Sequence, residues 1–293
     1  MRNILLILFF LLLTNSTAKE SELNANFGFV SQSRFLSNFK DARDSLGTWI
    51  EEMGKKNDTT LNVTFFTNPD QLFDEYKTSK IDMAVFSLPY FFRNKEKIDK
   101  ISDDYWTLSF TENKFAQFYL IANKSFNIKS IKDLKNKYIS LKEFDEVSET
   151  WIDKESLINN HASIKNTAKS ILYEAKESTA LLNVYFKKAQ VAVVSKKTWD
   201  IMIELNPAVK KSLVVIDKSE KIHLPFIGMF RKGTDKKVVD VFFKLTINLK
   251  KLYNSSEILD LLKFDSIFRM REEDFILLTK FYEEYFDLKK KYD

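Results

Sequence analysis

Between Phe144 and Trp151 the sequence reads Phe-Asp-Glu-Val-Ser-Glu-Thr-Trp, which sets three carboxylates beside two hydroxyls. Such a cluster admits two chemistries. The hydroxyls of Ser148 and Thr150 can hydrogen-bond a solute, while Asp145, Glu146 and Glu149 repel anions, increasingly so as water leaves. The same residues also suit the start of a helix, with Ser148 accepting from free backbone N–H groups and the acids facing the positive end of the dipole. Ser178 and Thr179 stand before a second helical pattern and carry the same pair of readings, helix cap or ligand contact. His161 and His223 are the only histidines and lie far apart, with no metal-ligand spacing. Trp106, Trp151 and Trp199 can stack on a ligand or fill a core. No Ser/His/Asp arrangement, phosphate-cradling glycine loop or paired metal-ligand motif is visible. The expectation is therefore a protein that binds without catalysing, and without cofactor or metal.

The elements that must position these groups follow from hydrophobic period. Short apolar or β-branched runs at Asn26–Val30, Leu61–Phe66, Asp82–Phe86, Ala116–Ala122 and Tyr138–Leu141 predict strands. So do Lys169–Tyr173, Gln190–Val194, Leu213–Ile216 and Ile227–Arg231. Helical patterns alternate with them at Phe39–Met53, Pro69–Lys77, Ser148–Asn159, Thr179–Lys188, Ser195–Leu205 and Lys236–Leu252. Several strands are apolar throughout, as parallel strands covered on both faces should be, so the pattern predicts an α/β architecture. From Lys236 onward only helices are expected, ending in Glu272–Lys289. There Phe275, Leu278, Phe281, Tyr282, Tyr285 and Leu288 recur at helical spacing, which predicts packing on the body of the protein.

Composition narrows the class. The 293 residues carry a formal charge of +5 with lysines interspersed among acids, which argues against nucleic-acid binding. Arg2, the apolar run Ile4–Leu13 and the small residues Ser16 and Ala18 have the layout of a secretory signal peptide cleaved near Ala18. Ten apolar residues make a helix of only ~15 Å, against a hydrocarbon core of ~30 Å. There is no cysteine, hence no disulfide and no site for lipid attachment at the cleavage point. The expected product is a freely diffusing periplasmic protein, not a lipoprotein.

Four segments carry a family resemblance. Asn24–Val30 leads into Ser31-Gln32-Ser33 and a long helix. Lys80-Ile-Asp-Met-Ala-Val-Phe-Ser-Leu-Pro-Tyr90 is similar to the G-x-x-D-hydrophobic-A-hydrophobic-x-x-P-x-x-Y passage of substrate-binding proteins of phosphonate and phosphate ABC transporters. Ile128-Lys-Ser-Ile-Lys-Asp-Leu-Lys-Asn-Lys-Tyr-Ile-Ser140 resembles the segment that leads into their second lobe, and Leu181–Ser195 the helix and strand that close it. The resemblance implies a two-lobed type II periplasmic binding fold with two crossing strands and a helical C-terminal extension. Lobe 1 would hold residues 22–107 plus 225–293, and lobe 2 residues 114–216. It further implies ligand contacts from Ser31, Ser33, Ser87 and Tyr90 in the first lobe. In the second lobe the family's Ser-Thr-Ser turn corresponds to Ser148-Glu149-Thr150, and Ser178 and Thr179 could face the same cleft. Glu149 in the middle position, and the lack of the family's glycines, count against the phosphonate or phosphate that the resemblance implies and make a cationic or zwitterionic solute plausible. The expected partners are a small polar solute and an ABC permease, with the protein acting as a monomer. The alternative is a ligand-binding or degenerate sensory partner of a membrane receptor or sensor kinase.

Overall fold

A computed structural model describes residues 23–30, 40–109, 115–223, 226–247, 249–252, 256, 259 and 266–293. The chain runs β1 (Leu23–Val30), α1 (Lys40–Lys55), β2 (Thr59–Phe66), α2 (Pro69–Lys77), β3 (Met83–Ser87), α3 (Leu88–Arg93), α4 (Lys95–Asp99) and β4 (Ser102–Ser109). A short β5 (Phe115–Ala116) then leads to β6 (Phe118–Asn123), β7 (Tyr138–Lys142), α5 (Glu146–Asn160), α6 (Ile164–Thr167), β8 (Ser170–Glu174) and α7 (Glu177–Tyr185). It continues through β9 (Val191–Ser195), α8 (Lys196–Leu205), α9 (Pro207–Ser212), β10 (Leu213–Lys218) and β11 (Ile222–His223). The last described elements are β12 (Phe226–Arg231), α10 (Lys236–Thr246), β13 (Ser266–Arg269) and α11 (Glu272–Tyr292).

The strands form two sheets, one for each lobe. The first has the order β13-β4-β12-β3-β1-β2, with β1, β2 and β3 parallel and β12, β4 and β13 antiparallel additions. The second has the order β10-β6-β9-β7-β8, with β7, β8 and β9 parallel. Between them the chain passes twice, and the passing segments pair as the small antiparallel ribbon β5–β11. This is the two-lobed α/β architecture expected, with both crossings present.

Strand alternation splits the first sheet into two faces. Ala25, Phe27, Phe29, Met83 and Val85 point to the side covered by α1 and α10. Ala84 and Phe86 point to the opposite side, where Leu72 and Tyr76 of α2 and Phe91 of α3 join the core. Gly28 also faces α2, and a β-carbon there would stand 2.3 Å from Leu72 Cδ1, so only glycine lets α2 approach this closely. The start of α2 is set locally: the Asn68 side chain accepts from the Asp70 N–H at 2.8 Å and Pro69 occupies the first turn.

Two expectations need correction. β4 and β13 add strands where none was expected, and β13 breaks the all-helical C-terminal region. β4 begins Ser-Asp-Asp, without an apolar run, and β13 is a four-residue edge strand whose pairing with Leu108 and Thr107 is set by distant sequence. The C-terminal helix α11 does pack on the body, and it touches both lobes. Tyr282 stacks on Phe92 of α3 with ring centroids 4.5 Å apart, while Lys154 of α5 pairs with Glu284 at 2.7 Å.

Candidate functional site

The two lobes face each other across a continuous cavity of about 570 Å3. Its polar end lies where the C-terminal ends of parallel strands from both sheets converge, the usual place for a ligand in open α/β sheets. Ser87 closes β3, and Tyr90 and Arg93 follow on successive turns of α3. From the other lobe, Phe144 after β7 and Glu146, Glu149 and Thr150 on the first turns of α5 complete the wall. Lys165 of α6 and Tyr285 and Lys289 of α11 close the sides.

In this wall the Ser87 hydroxyl of lobe 1 lies near the Glu146 carboxylate of lobe 2. Partial enclosure in the cleft raises the Glu146 carboxyl above its ordinary range, while the nearby Ser87 hydroxyl and the Arg93 charge oppose that rise. Glu149 accepts from the Tyr173 hydroxyl at 2.9 Å and pairs with Lys165 at 3.2 Å. Asp153, one turn further along α5, accepts from the Tyr285 hydroxyl at 2.8 Å and the Ile164 N–H at 2.6 Å, and pairs with Lys289 at 3.2 Å. The Tyr90 hydroxyl donates to Asp70 at 2.8 Å; burial first, and then this acceptor, hold it above the ordinary phenol range. Phe144 stands at φ 55°, in the left-handed region that bulky residues avoid, and is 42% exposed at the cleft. Strain of that kind gathers at ligand sites, where surrounding contacts must hold it.

The residues singled out from the sequence are placed differently from one another. Ser87, Tyr90 and Thr150 reach the cavity. The Thr150 hydroxyl, however, donates back to the Glu146 carbonyl at 2.6 Å. Ser148 does not reach the cavity. It is buried at the third helical position and donates to the Asp145 carbonyl at 3.1 Å, and the helix cap is Asp145, not Ser148. Ser178 and Thr179 lie inside the first turn of α7 behind the cap residue Lys176, and neither lines the cavity nor caps the helix. Ser31 and Ser33 lie outside the described residues. Trp106 lines the cavity, whereas Trp151 packs against Phe118 and Trp199 lies in the lobe 2 core. His161 packs on Tyr292, with ring centroids 4.8 Å apart.

A family model for the periplasmic substrate-binding protein of phosphonate ABC transporters matches residues 38–275. The chain belongs to that family. Its members are substrate-binding proteins of transporters, which take up small solutes and deliver them to a permease, and they are not a family of enzymes. Solved structures agree on the fold. A Xanthomonas citri protein bound to ATP superposes with a TM-score of 0.67 at 10% identity, covering 92% of this chain and 99% of that one. The binding protein component of an ABC phosphonate transporter from Pseudomonas aeruginosa gives 0.61 at 14% identity, covering 93% and 89%. A Prochlorococcus marinus protein in complex with methylphosphonate gives 0.61 at 12% identity, covering 89% and 97%. No curated protein matches the chain in sequence. At these identities the structures establish the type II binding fold and leave the ligand to this chain's own side chains.

Those side chains depart from a plain anion site. Each carboxylate of the wall has a cation near it: Lys165 by Glu149, Lys289 by Asp153 and Arg93 by Glu146. Arg93, Asp153, Lys165, Tyr285 and Lys289 were not singled out from the sequence. Arg93 falls one helical turn after Tyr90, a spacing that could have flagged it; the others depend on tertiary contact.

Proposed function

We propose that the chain is exported to the periplasm by residues 1–18, cleaved near Ala18, and captures a small solute between its lobes as a monomer for an ABC permease. The single observation that carries this reading is that Ser87, Tyr90 and Arg93 of lobe 1 and Glu146, Glu149 and Thr150 of lobe 2 line one cavity, in a chain whose family serves such transporters. Ser87, Tyr90 and Thr150 would contact the solute, together with Arg93, Glu146 and Glu149. Because acids and bases alternate around the wall, a zwitterionic head with an amine group fits it better than a bare phosphonate or phosphate. An amine can sit against Glu146 or Glu149 while an acidic group meets Arg93 or Lys165. Ligand that binds both lobes stabilises the closed form only by its extra affinity for that form.

The test is a thermal-shift screen of the purified chain with phosphonates, phosphate, phosphite, amino acids, polyamines and phosphocholine. A zwitterion should raise the melting temperature, by mass action, and Glu146→Ala should abolish the shift. A shift with simple phosphonates alone would overturn the head-group reading. Silence from every compound, with no stimulation of a permease reconstituted from the same genome, would overturn the transport reading.

A further inference from the structure

The cavity extends well beyond the polar wall. From Ser87 it continues into the interior of lobe 1, between the sheet face and helices α1 and α10, where Trp49, Met53, Met83, Trp106, Phe226 and Phe242 line it. Among the described residues none of that inner lining is ionisable. Along it Phe226, Phe242, Leu245, Leu252 and Ile267 are only half-buried. A volume of about 570 Å3 is that of a site for a drug-sized molecule, far more than a solute of a few heavy atoms fills.

We propose that this cavity takes a single-chain amphiphile, with a zwitterionic head between Ser87, Arg93, Glu146 and Lys165 and an alkyl tail in the apolar interior of lobe 1. The inference rests on the solute-binding reading and names its substrate class. Three features support it together: the continuity of polar and apolar ends in one cavity, the mixed charge at the mouth, and the aromatic and aliphatic lining within. A tail there leaves water as a lipid would, and each methylene gained should tighten binding roughly fourfold.

Tryptophan fluorescence reads the tail directly, because the four tryptophans divide between the lobes. Trp49 and Trp106 line the cavity, and Trp151 and Trp199 lie in or against lobe 2. The probe is decylphosphocholine carrying bromine on the last tail carbon, a contact quencher, used below its micellar concentration. In the double variant Trp151→Phe/Trp199→Phe it should quench saturably at one molecule per chain. In Trp49→Phe/Trp106→Phe it should quench little. Val241→Phe, which places a ring in the cavity from α10, should weaken binding tenfold or more. Calorimetry on the unaltered chain provides a second readout: affinity should rise along the butyl, hexyl, octyl and decyl phosphocholine series and exceed that for decanoate and decyltrimethylammonium. Equal quenching of both tryptophan pairs, a flat alkyl series, or tighter binding of either singly charged chain would overturn the proposal. Binding of phosphocholine itself with a flat series would leave the transport reading standing and remove only the tail. Failure of phosphocholine and of every chain would overturn both.

Discussion

Replacing tyrosine by phenylalanine should change stability in opposite directions at two fully buried sites. Tyr282 and Tyr76 are both 0% exposed, so the ring burial is the same in each case and is kept on substitution. Their hydroxyls differ. Among the described residues that of Tyr282 has no hydrogen-bond partner, whereas that of Tyr76 donates to Ser102 at 2.9 Å. A buried polar group without a partner costs about 1–3 kcal/mol in lost hydration, so Tyr282→Phe should stabilise by that order. The Phe92 stack, at an interplanar angle of 8°, does not involve the hydroxyl and should survive. Tyr76→Phe removes a bond worth about 1 kcal/mol net and strands the buried Ser102 hydroxyl, for a loss of about 1–3 kcal/mol. Tyr285→Phe extends the series: its hydroxyl donates to the ionisable Asp153, so the loss should be about 1.5–3 kcal/mol. Urea unfolding at neutral pH, compared through midpoints at constant slope, gives all three values. A Tyr282→Phe variant that loses more than about 0.5 kcal/mol would refute the reasoning, since the hydroxyl would then be satisfied, most simply through water to the nearby Glu146.

Four further perturbations probe the cleft and its supports. Glu146 has its carboxyl raised from an ordinary 4.5, so the folded state binds protons more readily than the unfolded chain and stability from this group falls as pH rises through the folded value. Glu146→Gln should therefore match the unaltered chain in acid below the ordinary carboxylate range and exceed it at neutral pH; a difference independent of pH in urea melts would exclude this linkage. Asp153→Ala should cost about 1–3 kcal/mol for each donor it strands, the Tyr285 hydroxyl and the Ile164 N–H, while Lys289 keeps its pair with Asp293; urea melts give the total. Lys165→Ala, at a side chain 67% exposed, should change stability by less than about 1 kcal/mol, and a larger loss in the same assay would count against the weak surface pairing. Gly228→Ala would bring a β-carbon to 2.0 Å from the Trp106 ring, so it should destabilise by about 3 kcal/mol or more and red-shift tryptophan emission; a neutral variant would show that the ring moves aside at little cost.

How far the sequence led depended on whether the decisive contacts were local. Met83–Phe86 and Val191–Val194 declare themselves as covered strands because every residue in each is apolar and buried. The bounds of α2 match the expected Pro69–Lys77 because Asn68 and Pro69 determine its start. β4 and β13 escaped because their pairing energy comes from residues more than a hundred positions away. The cleft divides in the same way. Ser87 and Tyr90 were legible through the resemblance of Lys80–Tyr90 to the family's passage, with Ser87 at the end of an apolar strand. Asp153, Tyr285 and Lys289 were not, since their meeting depends on α11 crossing back over α5. Ser148 was misplaced by a helix start three residues earlier than its cap reading required. At the third helical position its hydroxyl finds a carbonyl one turn back, as serines inside helices do.

On the proposed reading, the first turn of α5 disfavours an anion in this cleft. A helix N-terminus attracts an anion through free N–H groups and a partial positive charge. Here Glu146 and Glu149 stand in that first turn and already answer the charge from within the chain. Glu146 also stands near the Ser87 hydroxyl of the opposite lobe, so a carboxylate of the protein lies beside a donor that an anionic solute would use. A dianion entering would sit beside that carboxylate, and the repulsion grows as the lobes exclude water. An amine meets the reverse situation: it gains the partly desolvated Glu146, and its own counter-charge can settle on Arg93. On that reading Glu146, at the seam of the two lobes, would also select the charge of what comes between them.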